Sequence, residues 1–432
     1  MNNIGRGIEM EEKKITYKDV WRIPNCRRLI TSNVINRFGD SVDAIAFTWL
    51  VYQITGSAAW SALVFGLNQL PSIFVQPLAG PFVEGKNKKH IIIATDILRG
   101  LIIAAFVALY YMKLTTPVLM AAFTLLITTV ESFNLPASSS FVPELIDDKH
   151  YVTATSLNMT VSKIFELIGM GAAGAIIAAF GVESAMLIDA ATFFVGALII
   201  ATIDYKGCKL KNEEIASQDY KTKFTEGFKY LFKNSTVLYF CFLCVLLNFM
   251  LTPLSSLFAP ITSEVYGMDS NFMSVCTMLM SGATILASLV MPKIIDRFSF
   301  DILAISLGSI LGLTSIVLSL GSYVKGNVLG AYLMGGVCFL SFGFFIGLLS
   351  SCLNVTFVKT VDKDYLARIG AVFNAIAVAS TPVATFIVSA LAVSLSVARI
   401  LFVFGVIGIL LFIGMFFFQN RKISSGVVEN ES

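Results

Sequence analysis

Apolar runs of about twenty residues recur along the chain, separated by short clusters of Gly, Pro, Asn and Lys. A hydrocarbon layer ~30 Å thick takes about 20 apolar helical residues to cross, and twelve runs meet that length. The first six are Leu29–Ile54, Ala59–Ala79, Ile91–Met112, Pro117–Ser140, Ala154–Phe180 and Ser184–Ile203. The last six are Val237–Pro260, Phe272–Met291, Ile302–Val324, Val328–Leu353, Ile369–Val393 and Ile400–Phe418. One long polar interruption, Asp204 to Thr236, divides them six and six. Inside it Phe224, Phe228, Leu231 and Phe232 recur at helical spacing, with Lys223, Glu226, Lys229 and Lys233 off that stripe. That pattern suits a helix lying on a membrane surface or a solvated linker helix. The expected organisation is a cytoplasmic segment 1–28, a six-helix bundle 29–203, a central cytoplasmic loop 204–236, a second six-helix bundle 237–419 and a tail 420–432.

Composition agrees with membrane as the solvent. Of 432 residues, 56% are hydrophobic and 14% charged, with mean hydropathy +0.79; soluble domains carry about 25% charged residues. A soluble fold, a disordered chain, a disulfide scaffold and a nucleic-acid binder are excluded. The seven cysteines are scattered, mostly within apolar runs, and read as small core residues. Met1 to Arg28 is charged throughout and has no apolar stretch before a cleavage site, so no signal peptide is expected.

Basic residues orient the spans. With both termini in the cytoplasm, outside loops hold only Lys113, Lys325 and Arg399, spans hold Arg37, Arg99 and Lys163, and every other Lys and Arg is inside. Trp49, Tyr52 and Trp60 then fall at the outer end of the first hairpin, and Trp21 near the inner surface. The halves also echo each other. Glu84-Gly85-Lys86-Asn87-Lys88-Lys89 after the second span answers to Asp296-Arg297 after the eighth, and Ile146-Asp147-Asp148-Lys149-His150-Tyr151 to Val361-Asp362-Lys363-Asp364-Tyr365. Repeated six-helix units are the architecture of rocking two-bundle transporters, with substrate held between the halves.

Several stretches together resemble the major facilitator superfamily, in particular its drug-exporter branch of macrolide efflux proteins and the enterobactin exporter. They are Trp49-Leu50-Val51-Tyr52 with Thr55-Gly56-Ser57, Gly80-x3-Glu84, Asp96-x-x-Arg99, Leu135-Pro136-Ala137 with Val142-Pro143-Glu144, and Leu187-Ile188-Asp189-Ala190. The chain departs from the superfamily pattern at Glu84 and Gly85, where Asp and Arg are usual, and at Gly169-Met170, where antiporter relatives carry Gly-Pro. The resemblance implies a twelve-helix all-α membrane fold in two pseudo-symmetric bundles. It also implies a cytoplasmic gate built from Glu84, Asp296 and Arg297.

Charges inside a bilayer cost roughly 2.5–3.5 kcal/mol each on insertion scales, and here they are lopsided. The first six spans hold Arg37, Asp40, Asp43, Asp96, Arg99, Glu131, Lys163, Glu166 and Asp189, the last six almost none beyond their ends. Asn33, Asn36, Arg37, Asp40 and Asp43 share an arc of about 120° on one helix, a polar stripe expected to face a central cavity. At i+3 spacing Arg37 can meet Asp40, Asp96 can meet Arg99 and Lys163 can meet Glu166. That leaves Glu131, Asp43 and Asp189. A buried carboxylate with no cation beside it can load and release a proton near neutral pH, so Glu131 comes first as proton carrier, then Asp43, with Asp40 behind them. A structural pair of Glu131 with Lys163 or Arg37 is the alternative, and Asp189 reads mainly as structural. Asn68, Gln69, Gln76, Asn248 and Asn374 are expected to line the substrate cavity beside Asn33 and Asn36. Pro71, Pro77, Pro253, Pro260 and Pro382 are expected hinge points.

Other motifs fail on context. Gly80-x4-Gly85-Lys86 lacks the Ser or Thr of a phosphate loop and follows an apolar helix, not a strand. Gly169-x-Gly171-x-x-Gly174 fits a dinucleotide fingerprint but sits inside a span, where small residues let helices approach. Cys241-x-x-Cys244 has no second ligand pair, and His90 and His150 are the only histidines. No metal, cofactor or catalytic residue is expected. The function expected is export of an amphipathic drug or lipophilic metabolite by alternating access, coupled to protons or, second, sodium. Alternatives are an exporter or flippase for a siderophore or lysolipid and, from another class, a membrane-embedded enzyme. The protein is expected to be a monomer, multi-pass in a bacterial plasma membrane, with no nucleic-acid partner.

Overall fold

A computed structural model describes residues 15–84, 86–205, 235–295, 297–360 and 366–429. Its helices are α1 (Tyr17–Arg22), α2 (Pro24–Thr55), α3 (Ala58–Phe74), α4 (Gln76–Glu84), α5 (Lys88–Tyr111), α6 (Pro117–Leu145), α7 (Asp148–Phe180) and α8 (Val182–Ala201). After the central segment come α9 (Ser235–Ser256), α10 (Ser270–Ile295), α11 (Phe300–Ser319), α12 (Val328–Thr360), α13 (Leu366–Leu391) and α14 (Val397–Glu429). No strand occurs among the described residues. The predicted surface helix at 224–233 lies outside them.

Local chemistry explains the helix ends. Ser57, Asn87 and Thr116 accept hydrogen bonds from the backbone N–H of Trp60 (3.4 Å), His90 (3.3 Å) and Leu119 (3.2 Å), filling donors the first turn leaves open. Gly56 closes α2 at φ +57°, a left-handed conformation that glycine adopts without a Cβ clash. Pro71 lies inside α3, and the helix breaks at Val75 before α4 continues the second span. Ten helices among the described residues are long and apolar enough to cross a membrane. The other two expected spans are α2, whose Arg37, Asp40 and Asp43 dilute its apolarity, and α13, apolar over Ala379–Leu391.

α2 packs on α7 and α8, α5 on α6 and α8, and α3 on α6, while α9 to α14 pack among themselves. The cores show where the halves meet. One buried cluster runs from Val42, Trp49, Ala62, Phe106, Ile177 and Phe193 in the first half into Leu257, Tyr266, Phe272 and Phe339 in the second. Toward the end where α2 begins, the first half has a separate core of its own, with Cys26, Ile30, Val34, Ile92, Phe141 and Ile200. At the shared end Tyr52 donates to Glu264 Oε1 (3.1 Å), and Ser389 Oγ donates to the Ala59 carbonyl (2.8 Å). The glycine triplet is packing, as its setting predicts. A Cβ at Gly169 would sit 2.8 Å from the Phe38 carbonyl, one at Gly171 2.7 Å from Met278 Sδ, and one at Gly174 2.7 Å from Asn271 Cα. α7 thus touches α2 and α10 almost backbone to backbone.

Candidate functional site

Four helices of the first half bring charges to one point. Arg99 on α5 donates to Asp40 Oδ1 on α2 at 3.0 Å, lies 4.0 Å from Glu131 Oε2 on α6, and stacks 4.0 Å over the Phe193 ring of α8. One turn along α5, Asp96 is 2% exposed and accepts from the side-chain amides of Asn36 (3.2 Å) and Asn134 (3.0 Å). Asn134 donates also to Thr95 Oγ1 (2.7 Å). Asp189 on α8 is buried beside Gly39 and hydrogen-bonded to Thr192 Oγ1 (3.4 Å). These α2–α8 contacts are possible because Gly39 and Gly196 carry no Cβ: one at Gly196 would stand 2.4 Å from Asn36 Oδ1.

Above Arg99 opens a cavity of ≈ 290 Å³. Its charged wall is Arg37, Asp40, Asp43, Arg99, Glu131 and Asp189, and one Asp43 carboxylate oxygen is buried with no hydrogen-bond partner among the described residues. Phe47, Val51, Val64, Phe65 and Ile127 make the apolar wall. Thr48, Ser61, Asn68 and Thr128 add neutral polar groups, and Ser256 on α9 reaches in from the second half. The cavity thus holds two guanidinium groups against four carboxyl groups, in walls otherwise fit for an apolar ligand.

The sequence pattern of the Major Facilitator Superfamily matches residues 29–385. The chain belongs to this superfamily. It is 24% identical over 229 residues to the uncharacterised MFS-type transporter YkuC of Bacillus subtilis, covering 50% of this chain and 51% of that one. It is 27% identical over 199 residues to the multidrug efflux pump Tap of Mycobacterium tuberculosis, covering 45% and 47%. The chain spans about half the length of the curated relatives it matches. A mutant of the nucleoside transporter NupG superposes with TM-score 0.72 over 91% of this chain and 100% of that one, at 14% identity, which shows the shared fold. Family membership and the shared fold make the chain a multi-span membrane protein of the transporter type.

Within this superfamily fold, pairing follows the tertiary neighbours more than the spacing along one helix. Asp40 pairs with Arg99 across helices, and Arg37, expected at i+3 from Asp40, faces the cavity with no ion pair among the described residues. Asp96, expected to pair with Arg99, is held by two amides, and Glu131, expected without a cation, has Arg99 at 4.0 Å. Lys163 and Glu166 do pair along α7 at 2.5 Å. Of the neutral candidates, Asn68 lines the cavity and donates to Thr124 (3.2 Å). Asn33 bonds Asn158 on α7, Asn36 bonds Asp96, Asn248 donates to the Cys244 carbonyl, and Gln69 and Gln76 are not in the wall. The stripe on α2 therefore divides, its amides turned into helix contacts and its charges into the cavity. Arg297 follows α10 and is exposed; Asp296 and the side chains of Glu84 and Asn374 lie outside the described residues. Thr95, Phe193 and Asn134 were not among the expected site residues, although Asn134 sits at i+3 from Glu131 and so shares its face.

Proposed function

We propose that the chain is a proton-coupled exporter of an amphipathic drug or lipophilic metabolite, working by alternating access with both termini in the cytoplasm. The observation that carries this is the charge count of the cavity: four carboxyl groups against two arginines in a low-dielectric wall. Among the described residues two of these carboxylates lack a balancing cation, and a proton supplies it most cheaply. Glu131 is the carrier proposed, with Asp43 and Asp40 next, because Glu131 stands at the edge of Arg99's reach and lines the cavity. Asp40 and Arg99 hold the floor in place. The aromatic and aliphatic wall supports a lipophilic cargo, and ≈ 290 Å³ is the lower edge of a drug-sized pocket (about 300–1,000 Å³). A bulky cargo therefore enters as the halves part. The halves join at the end bearing Tyr52, Glu264 and Ser389; in the proposed orientation that end is outside, so this state opens to the cytoplasm. The similarity to Tap supports a drug over other cargoes.

The test is ΔpH quenching in everted vesicles containing the protein, challenged with macrolides, cationic dyes and siderophores. One compound class should release protons, and Glu131→Gln should abolish that release. Release that survives in Glu131→Gln moves the proton to Asp43 or Asp40. Silence across the panel, with the protein present and folded, overturns proton-coupled drug export.

A further inference from the structure

A second concave site lies away from the cavity, on the outer surface of the first half at the end where α2 begins. It is a groove of ≈ 400 Å³ between the first turns of α2 and the last turns of α8. Arg27, Arg28 and Thr31 form one side, and Val195, Leu198, Ile199 and Thr202 the other. No acidic side chain lines it among the described residues.

The two arginines differ. Arg28 donates to the Thr202 carbonyl (2.8 Å), and Lys89 donates to the carbonyls of Ala201 (2.8 Å) and Ile203 (2.7 Å). Together they answer the free carbonyls and negative dipole end of α8. Arg27 is exposed and in no ion pair among the described residues. Leu198 is 68% exposed and Val195 43%, on a helix apolar enough to cross the membrane, so both face hydrocarbon. From Thr202 back to Val195 is about 10 Å along the helix. The groove therefore changes over that distance from basic and hydroxylic to purely aliphatic, in the sense in which a lipid changes from headgroup to chain.

We propose that this groove is a binding site for one anionic phospholipid, its phosphate between Arg27 and Arg28 with the Thr31 hydroxyl beside it, and an acyl chain along Val195 and Leu198. Basic pockets between spans at a bilayer surface select anionic headgroups. The aliphatic wall favours a lipid over free phosphate, and two arginines with no carboxylate beside them among the described residues favour an anionic over a zwitterionic lipid. Such a lipid would brace the α2–α8 contact that also positions Asn36 and Asp40.

Native mass spectrometry of the delipidated full-length protein tests this, with phosphatidylglycerol, phosphatidylcholine and glycerol 3-phosphate as separate probes. One phosphatidylglycerol should be retained ahead of phosphatidylcholine, and glycerol 3-phosphate should not compete. Arg27→Gln should weaken that first binding about fivefold, the share of one basic residue at an anionic surface. Leu198→Trp, which fills the groove and keeps both charges, should weaken it as well and leaves Arg28 in its capping role. Arg22→Gln removes an equal charge outside the groove and should have no effect. Unchanged retention in Arg27→Gln, or an equal loss in Arg22→Gln, overturns the site; competition by glycerol 3-phosphate makes it a phosphate site and overturns the lipid.

Discussion

Removing Arg99 tests whether it holds the floor of the cavity together. At an effective dielectric of about 20, attraction to Asp40 at 3.0 Å is about 5 kcal/mol and to Glu131 at 4.0 Å about 4 kcal/mol, before desolvation. Arg99 and Asp40 side chains are only 12% and 27% exposed, so water cannot replace the lost partner well. Truncating one member of a buried pair costs about 3–5 kcal/mol, chiefly because the other charge is left stranded. Arg99→Gln should therefore destabilise the protein by that amount in SDS titration of mixed micelles, followed by tryptophan fluorescence. Asp40→Asn alone should cost less, because Glu131 still partners the arginine. In the double variant the stranded charge at Asp40 is gone, so its loss should fall short of the sum of the singles by about 1–3 kcal/mol. Additivity within about 0.5 kcal/mol would falsify the hub, since it would mean that the two groups do not feel each other.

Two further outcomes follow from particular contacts. Gly174→Val should push α7 from α10, because its Cβ would lie 2.7 Å from Asn271 Cα and 2.8 Å from the Ser270 carbonyl where ordinary contact is about 3.5–4 Å; spin-label distances between the two helices should lengthen by about 1 Å or more, and unchanged distances would contradict the close packing. Cys26, outside the expected spans, has its thiol pushed up from the ordinary range by burial and by Asp147; a raised thiol is less ionised at neutral pH, so maleimide labelling of the native protein should be slow at pH 7 and quicken as pH rises, and fast labelling at pH 7 would count against its buried setting.

The fold was legible because a bilayer makes each span announce itself by length. Pro117–Ser140, Ala154–Phe180 and Val328–Leu353 were expected, and helices occur at Pro117–Leu145, Asp148–Phe180 and Val328–Thr360. The overruns share one cause: hydropathy marks where hydrocarbon stops, whereas the backbone ladder continues into polar ground until a cap or loop ends it. The charged stripe on α2 was legible too, since 100° per residue gathers Arg37, Asp40 and Asp43 on one side. Its partners were not. Spacing along a helix sees only residues three or four apart, and the Asp40–Arg99 pair is set by how Gly39 and Gly196 let α2 settle against α8. The same limit hid Phe193 beneath Arg99, because an aromatic in an apolar helix looks like any other until a cation from a different helix stands over it.

On the proposed reading, the placement of these charges constrains how a proton could move the halves. Arg99, Asp40, Glu131, Asp43 and Asp189 all stand on α2, α5, α6 and α8, which belong to one half, so rocking of the other half leaves their pairing intact. A charge change there biases the two states only through something that differs between them. Ser256 on α9 is the one described residue of the second half in the cavity wall, and α2 itself meets the second half where Tyr52 donates to Glu264. From Asp40 to Tyr52 is twelve residues of α2, about 18 Å, passing Asp43, Thr48 and Val51 along the cavity. α2 thus runs from the charged floor to the joined end, and on this reading a shift of this helix, with the hub intact, would carry the effect of a proton to Tyr52 and Glu264.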